Sequence, residues 1–247
     1  MKNKITILAA VIFLTHCTPP PEKQNTGIHG ITIRVIEDVT DRIRIHADCK
    51  QASRLFHADK YPDAAFNFHI DAISDRKNSP SFSSRLAEGK ATAKENRFDD
   101  VQYRKKRIRQ FYRETKQVCT NFYTEFDTTK AQSHSECWTA ICGVLQQLAL
   151  DSSDRKYLLI YSDLMENSAF NSYHGLEKMS VTAIAQKLIQ TCPVPKGLQG
   201  IRVVVVYAPD SREHDKKFAK MYEAVKILLE REGAVVSKQS TNQFDDL

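Results

Sequence analysis

The sequence predicts a doubly wound α/β domain, a mostly parallel sheet with helices on both faces. Apolar runs rich in β-branched residues at Ile31–Ile36, Ala64–Ile73, Lys156–Tyr161 and Ile201–Tyr207 have strand composition. Stretches with apolar residues at helical spacing separate most of them, and such alternation builds parallel crossovers. The chain has 247 residues, 27% of them charged, with 8 Gly and 8 Pro. It is long enough to bury a large core and too poor in Gly and Pro for a fibrous or low-complexity class.

Taken in order, Ile31–Ile36 alternates as a strand. Arg42–Tyr61 mixes Ile43, Ile45, Ala52, Leu55 and Phe56 with charges, which predicts a helix broken at Pro62. Ala64–Ile73 alternates again. Asp75–Arg97 has no apolar period and reads as a long polar loop. Val101–Tyr123 places Ile108, Phe111, Tyr112, Cys119 and Phe122 among basic residues, an amphipathic helix. Residues 75–125 together read as a polar and basic insertion. In the helix Trp138–Leu150, Ile141, Val144, Leu145 and Leu148 recur at i, i+3, i+4 and i+7. Lys156–Tyr161 is a continuous apolar strand of the kind buried on both faces. Val181–Thr191 is a helix stopped by Cys192 and Pro193, Ile201–Tyr207 the strongest strand, and Lys216–Glu232 a helix ended by Gly233. Ala234–Val236 adds an edge strand, and the polar tail from 239 to 247 should fray.

The first seventeen residues have a different character. Lys2 and Lys4 precede the apolar run Ile5–Leu14, which as a helix rises only about 15 Å and is too short to span a bilayer. Leu14-Thr15-His16-Cys17 resembles the end of a bacterial lipoprotein signal, with His16 where that signal usually has a small residue. The resemblance implies that Cys17 is lipidated and that residues 18–29, stiffened by Pro19, Pro20 and Pro21, tether a domain of residues 30–238 to a membrane of the cell envelope. A plain secretory signal is the alternative. Five cysteines remain, an odd number, so one or two disulfides with buried thiols are expected. No CxxC or HxxxH spacing suggests zinc.

Ligands in such sheets sit at the carboxyl ends of the strands. Two acidic loops are expected there: Glu37–Arg42 after the first strand and Ser162–Ser168 after Lys156–Tyr161. Asp38-Val39-Thr40-Asp41-Arg42, a later Ser135 opening a helix (with Ser133 as competitor), and Ile160-Tyr161-Ser162-Asp163 resemble, in that order, the three loops of the von Willebrand factor type A (VWA) domain. The likeness spans roughly residues 30–236. It implies a Rossmann-like three-layer sandwich with a metal-ion-dependent adhesion site, here formed by Asp38, Thr40, Ser135 and Asp163 around a divalent cation such as Mg²⁺. The family's second hydroxyl position in the first loop is Arg42, and a guanidinium cannot ligate a cation. The resemblance therefore leaves two states open, a metal-gated site and a metal-free scaffold.

The net charge of +6 is too slight to argue for a nucleic-acid partner. Arg104–Arg113 is a basic stretch interleaved with Phe111 and Tyr112, suited to phosphates or anionic headgroups, or simply a solvated helix face. Of eight histidines, His69 on a strand and His134 near the second loop draw notice. GxGxxG, GxxxxGK[ST] and GxSxG are absent, so no enzyme class is indicated. The expected protein is a lipid-anchored envelope module that binds a protein partner, through an acidic side chain where a cation is present. A Mg-dependent hydrolase or phosphotransferase, and a metal-free structural subunit, are the rivals.

Overall fold

All nine residues of the first strand, β1 (Gly30–Asp38), are buried, the mark of a strand covered on both faces. β1 is central in a computed structural model that describes residues 27–40, 43–74, 81–89, 97–126, 135–168 and 170–244. The other strands are β2 (Ala65–Ile73), β3 (Phe82–Leu86), β4 (Arg155–Tyr161), β5 (Ile201–Val206) and β6 (Val235–Gln239), in the order β3-β2-β1-β4-β5-β6. β3 pairs antiparallel with β2, and every other pairing is parallel. The four strands expected from composition share this one sheet, a doubly wound α/β arrangement. No described helix is long and apolar enough to cross a membrane.

Strand alternation sends neighbouring side chains to opposite faces. Ile31, Ile33 and Val35 join Phe66, Phe68, Tyr157 and Leu159 beneath α1 (Cys49–Arg54) and α2 (Arg97–Glu125). Ile36, Leu158, Ile160, Val203 and Val205 pack on the other face against α3 (Cys137–Leu150), α4 (Val181–Thr191) and α5 (Arg212–Arg231). The result is three layers with a core on each side of the sheet.

Three expectations need correction. The helix expected over Arg42–Tyr61 is only the six residues of α1: Asp48 caps it by accepting from the amides of Lys50 and Gln51, and His57 turns the chain away at φ 44°. The stretch expected to be a polar loop contains β3, whose Ser83 and Arg85 face solvent while Ser84 and Leu86 are buried. Residues 75–125 therefore supply an edge strand and a covering helix of the sheet itself. The tail expected to fray is held as far as Phe244, which is buried in the α1–α2 core. Nearby, the Asn242 side chain accepts from the Tyr161 hydroxyl at 2.5 Å and donates to the His46 carbonyl at 3.1 Å.

Cys49 and Cys119 form a disulfide joining α1 to α2, a closure over 70 residues that restrains the unfolded chain by about 4 kcal/mol on the chain-entropy model. Cys137 and Cys142 are buried thiols and Cys192 a half-buried one.

Candidate functional site

β1 and β4 are adjacent and parallel, so the loops that leave their carboxyl ends are neighbours. Asp38 is the last residue of β1 and is fully buried. One of its carboxylate oxygens accepts from the Thr40 amide at 3.0 Å and the Thr40 hydroxyl at 2.5 Å. The other accepts from the Ser162 hydroxyl at 3.0 Å, which ties the two loops together. Ser162 in turn accepts from the Leu164 amide at 2.9 Å. Leu164 has φ 61°, left-handed backbone that costs a leucine about 1–2 kcal/mol, so the surrounding bonds must hold this loop in shape.

Asp163 is half-buried and accepts from the Met165 amide at 2.8 Å. Ser135 is pinned to the same loop by a β-bridge with Asn167, whose amide donates to the Ser135 carbonyl at 3.0 Å. The Ser135 hydroxyl is buried and has no hydrogen-bond partner among the described residues, an arrangement that costs about 1–3 kcal/mol unless a ligand serves it. Of the expected set, Asp38 and Thr40 touch directly, Asp38 meets the Asp163 loop through Ser162, and Ser135 joins that loop through Asn167. Arg42, Ser133, His134 and Cys17 lie outside the described residues. His69 sits elsewhere, on β2 opposite Arg34 of β1; burial first and then Arg34 push its pKa down.

Other side chains complete the site without any role assigned from sequence. Glu166, fully buried, accepts from the Trp138 amide at 2.8 Å and caps α3, because the side chain of the N-cap residue itself, Glu136, does not cap the helix. A carboxylate there complements the helix dipole. The Cys137 thiol lies 3.5 Å from the Ser162 hydroxyl. Burial, then Asp38, then Glu166 and more weakly Asp163 raise its pKa well above the ordinary thiol value, so it is no thiolate nucleophile. The only sequence signal for Glu166 was its place in the loop after β4, whereas Ser162 also stood in the motif that resembles the third VWA loop.

Two carboxylates and two hydroxyls are hard oxygen donors of the type that suits Mg²⁺ or Ca²⁺, and the orphaned Ser135 hydroxyl fits a missing ligand. The set relies on hydroxyls: among the described residues no three His, Cys, Asp or Glu side chains form a metal-holding group.

Behind the site, on the other face of β1, Glu37 is fully buried. It accepts from the Tyr123 hydroxyl at 2.6 Å and the Ala47 amide at 2.9 Å, and pairs with His46 Nδ1 at 2.7 Å. The hydrogen bond to Glu37 raises the His46 pKa, against the opposing effect of burial. A folded value above the unfolded ~6.5 gives stability fully present below that pH and lost as pH rises through the folded value. Melting temperature followed from pH 5.5 to 8.5 should therefore fall more steeply in wild type than in His46→Gln. Parallel profiles would show no linkage.

No family model matches the chain, and no curated protein matches it. Among solved structures, the chain is similar to a mutant of the PilB minor pilin from Streptococcus sanguinis, with TM-score 0.45 and 8% identity over 88% of this chain. It spans 59% of that pilin's length. It is also similar to an aerotolerance-related membrane protein from Bacteroides fragilis, with TM-score 0.33 and 11% identity, covering 86% of this chain and 94% of that one. The conserved hypothetical protein BatB from Bacteroides thetaiotaomicron gives TM-score 0.34 and 10% identity, covering 86% and 91%. Scores this low leave function to the chain's own residues.

Proposed function

We propose that this chain is a lipid-anchored binding module of the bacterial cell envelope, a VWA-like domain that takes a protein partner at the carboxyl end of its sheet. The observation that carries the reading is the joining of the β1 and β4 loops through Asp38 and Ser162, with the buried Ser135 hydroxyl unpartnered among the described residues beside them. Asp38 and Asp163 would supply negative charge to a divalent cation, and Thr40 and Ser135 neutral oxygens. A bound cation supplies an open coordination position that an acidic side chain of the partner fills. The rest is the protein's own work: Ser162 and Thr40 fix the Asp38 carboxylate, and Glu166 fixes the start of α3 and with it Ser135.

Thermal shift on adding Mg²⁺ or Mn²⁺ tests the cation directly, because a ligand that binds only the folded state stabilises it by mass action. At a hundredfold excess over Kd the gain is about 2.7 kcal/mol, or about 5–10 °C at this size. The shift should appear in wild type and vanish in Asp163→Ala. If it appears only in Arg42→Ser, the guanidinium excludes the cation and the wild-type module binds without metal. No shift in either protein would overturn the cation reading and favour a metal-free subunit. Turnover of phosphoesters would instead favour the hydrolase or phosphotransferase.

A further inference from the structure

The opposite end of the sheet has its own chemistry. Arg104 of α2 donates to the carbonyls of Pro62, Ala64 and Ala87 at 2.6–2.7 Å. Next to Ala64, the Ala65 amide donates to the His29 carbonyl at 2.7 Å, one residue before β1 begins. The first half of α2 is thus pinned to the edge where the described chain enters the sheet. That edge lies about 26 Å from Asp38, eight strand residues away.

Beyond Arg104 this half-helix exposes Lys105, Lys106, Arg107 and Arg109. Val101 and Tyr103, in the turn before them, are 45% and 63% exposed. No carboxylate pairs with these four cations among the described residues. Lys105 and Arg109 also rim a groove of about 1030 Å³ whose floor includes Leu55, Ile108 and Tyr112, with Asp59 and Asp63 on its wall. Unpaired cations with an exposed tyrosine and valine in the turn before them match the headgroup zone of a bilayer, where amphipathic rings and basic side chains both settle. Position favours a membrane over a soluble acidic partner. Gly27 lies ten residues after Cys17, a reach of at most about 35 Å, so an anchored chain keeps this end near the lipid.

We propose that the first half of α2 is a membrane-facing surface. Lys105, Lys106, Arg107 and Arg109, with Tyr103 and Val101, rest on anionic headgroups and turn the Asp38–Asp163 end away from the bilayer toward its partner. The closeness to the membrane rests on the lipid-anchor reading above; the headgroup preference is a property of the folded surface and is measured separately.

The test is co-sedimentation of the full-length chain with vesicles of phosphatidylcholine alone or with 30% phosphatidylglycerol. At about 1 kcal/mol per basic residue near an anionic surface, the four cations should make wild type partition on the order of 1,000-fold more strongly onto the anionic vesicles, and the preference should shrink in 0.5 M salt. Lys105→Glu/Lys106→Glu/Arg109→Glu should bind both vesicles equally at unchanged melting temperature, because its three side chains are exposed. Equal binding of wild type to both vesicles, or a preference that survives the triple substitution, would overturn the proposal. So would capture of polyglutamate through the same lysines without any headgroup preference, which would assign the surface to an acidic protein. Acyl labelling separates the two readings. A preference without label at Cys17 supports the surface and removes the anchor, whereas label without preference removes the surface alone.

Discussion

Arg104→Ala is expected to cost about 3 kcal/mol, although Arg104 stands in a run of basic residues whose other members can be reversed at little cost. Its guanidinium makes three hydrogen bonds to backbone carbonyls, two of them just before β2 and one just past β3. Hydrogen bonds from a charged donor contribute roughly 1.5–3 kcal/mol each, and three on one side chain fall short of their sum because they share one desolvation cost. Without the guanidinium, the carbonyls of Pro62, Ala64 and Ala87 must find water, and α2 loses its tie to the sheet edge. At about 2–4 °C per kcal/mol for a domain of this size, the melting temperature should fall by about 6–12 °C. Arg104→Lys should recover only part of that, since an ammonium cannot span three carbonyls with a planar fork. The contrast is Lys105→Glu/Lys106→Glu/Arg109→Glu, expected within about 1 kcal/mol of wild type. Equal losses in the two proteins would mean the helix is held by its charge as a whole.

The same contrast shows what could be seen in the sequence. A solvated basic face and a structural arginine look alike in a row of Arg and Lys. The partners of Arg104 are carbonyls 17 to 42 positions away, and a carbonyl carries no residue identity. The central strands were legible because burial on both faces leaves runs such as Val203–Val206 that suit little else. β3 was not, since an edge strand with Ser83 and Arg85 on its open side has the composition of a loop. Nor was the brevity of α1, whose flanking Ile43 and Ile45 lie where a longer helix would have placed them. Within the site, the strand-end rule pointed to the two acidic loops, and the resemblance of their residues to the VWA motifs singled out Asp38 and Asp163. The Ser162 bridge and the Glu166 cap were hidden because an acidic loop offers several carboxylates and hydroxyls, and only coordinates say which of them turn inward.

Glu37 is the stronger case of a misleading residue type, because an acidic side chain at a strand end reads as solvated and this one is fully buried. Breaking a buried charge's network by removing one partner costs about 3–5 kcal/mol. Glu37→Ala should reach that range, a fall of about 10 °C or more. It leaves the Tyr123 hydroxyl and the Ala47 amide facing a cavity where a carboxylate stood 2.6 and 2.9 Å away. Tyr123→Phe removes one donor and leaves the carboxylate with its other partners, so about 1 kcal/mol is expected. If the pair acts as a unit, the double variant Glu37→Ala/Tyr123→Phe should be less destabilised than the sum, by about 1 kcal/mol or more. Strict additivity would show that Tyr123 merely packs beside Glu37. The consequence reaches the candidate site, because Glu37 immediately precedes Asp38 and anchors Ala47 at the far end of the segment that carries Thr40. Loosening that segment weakens the hold on the Thr40 hydroxyl, so any Mg²⁺-dependent thermal shift should shrink in Glu37→Ala and persist in Tyr123→Phe. A full shift in Glu37→Ala would mean that Asp38 and Ser162 alone position the loop, and that the buried carboxylate serves the fold without serving the site.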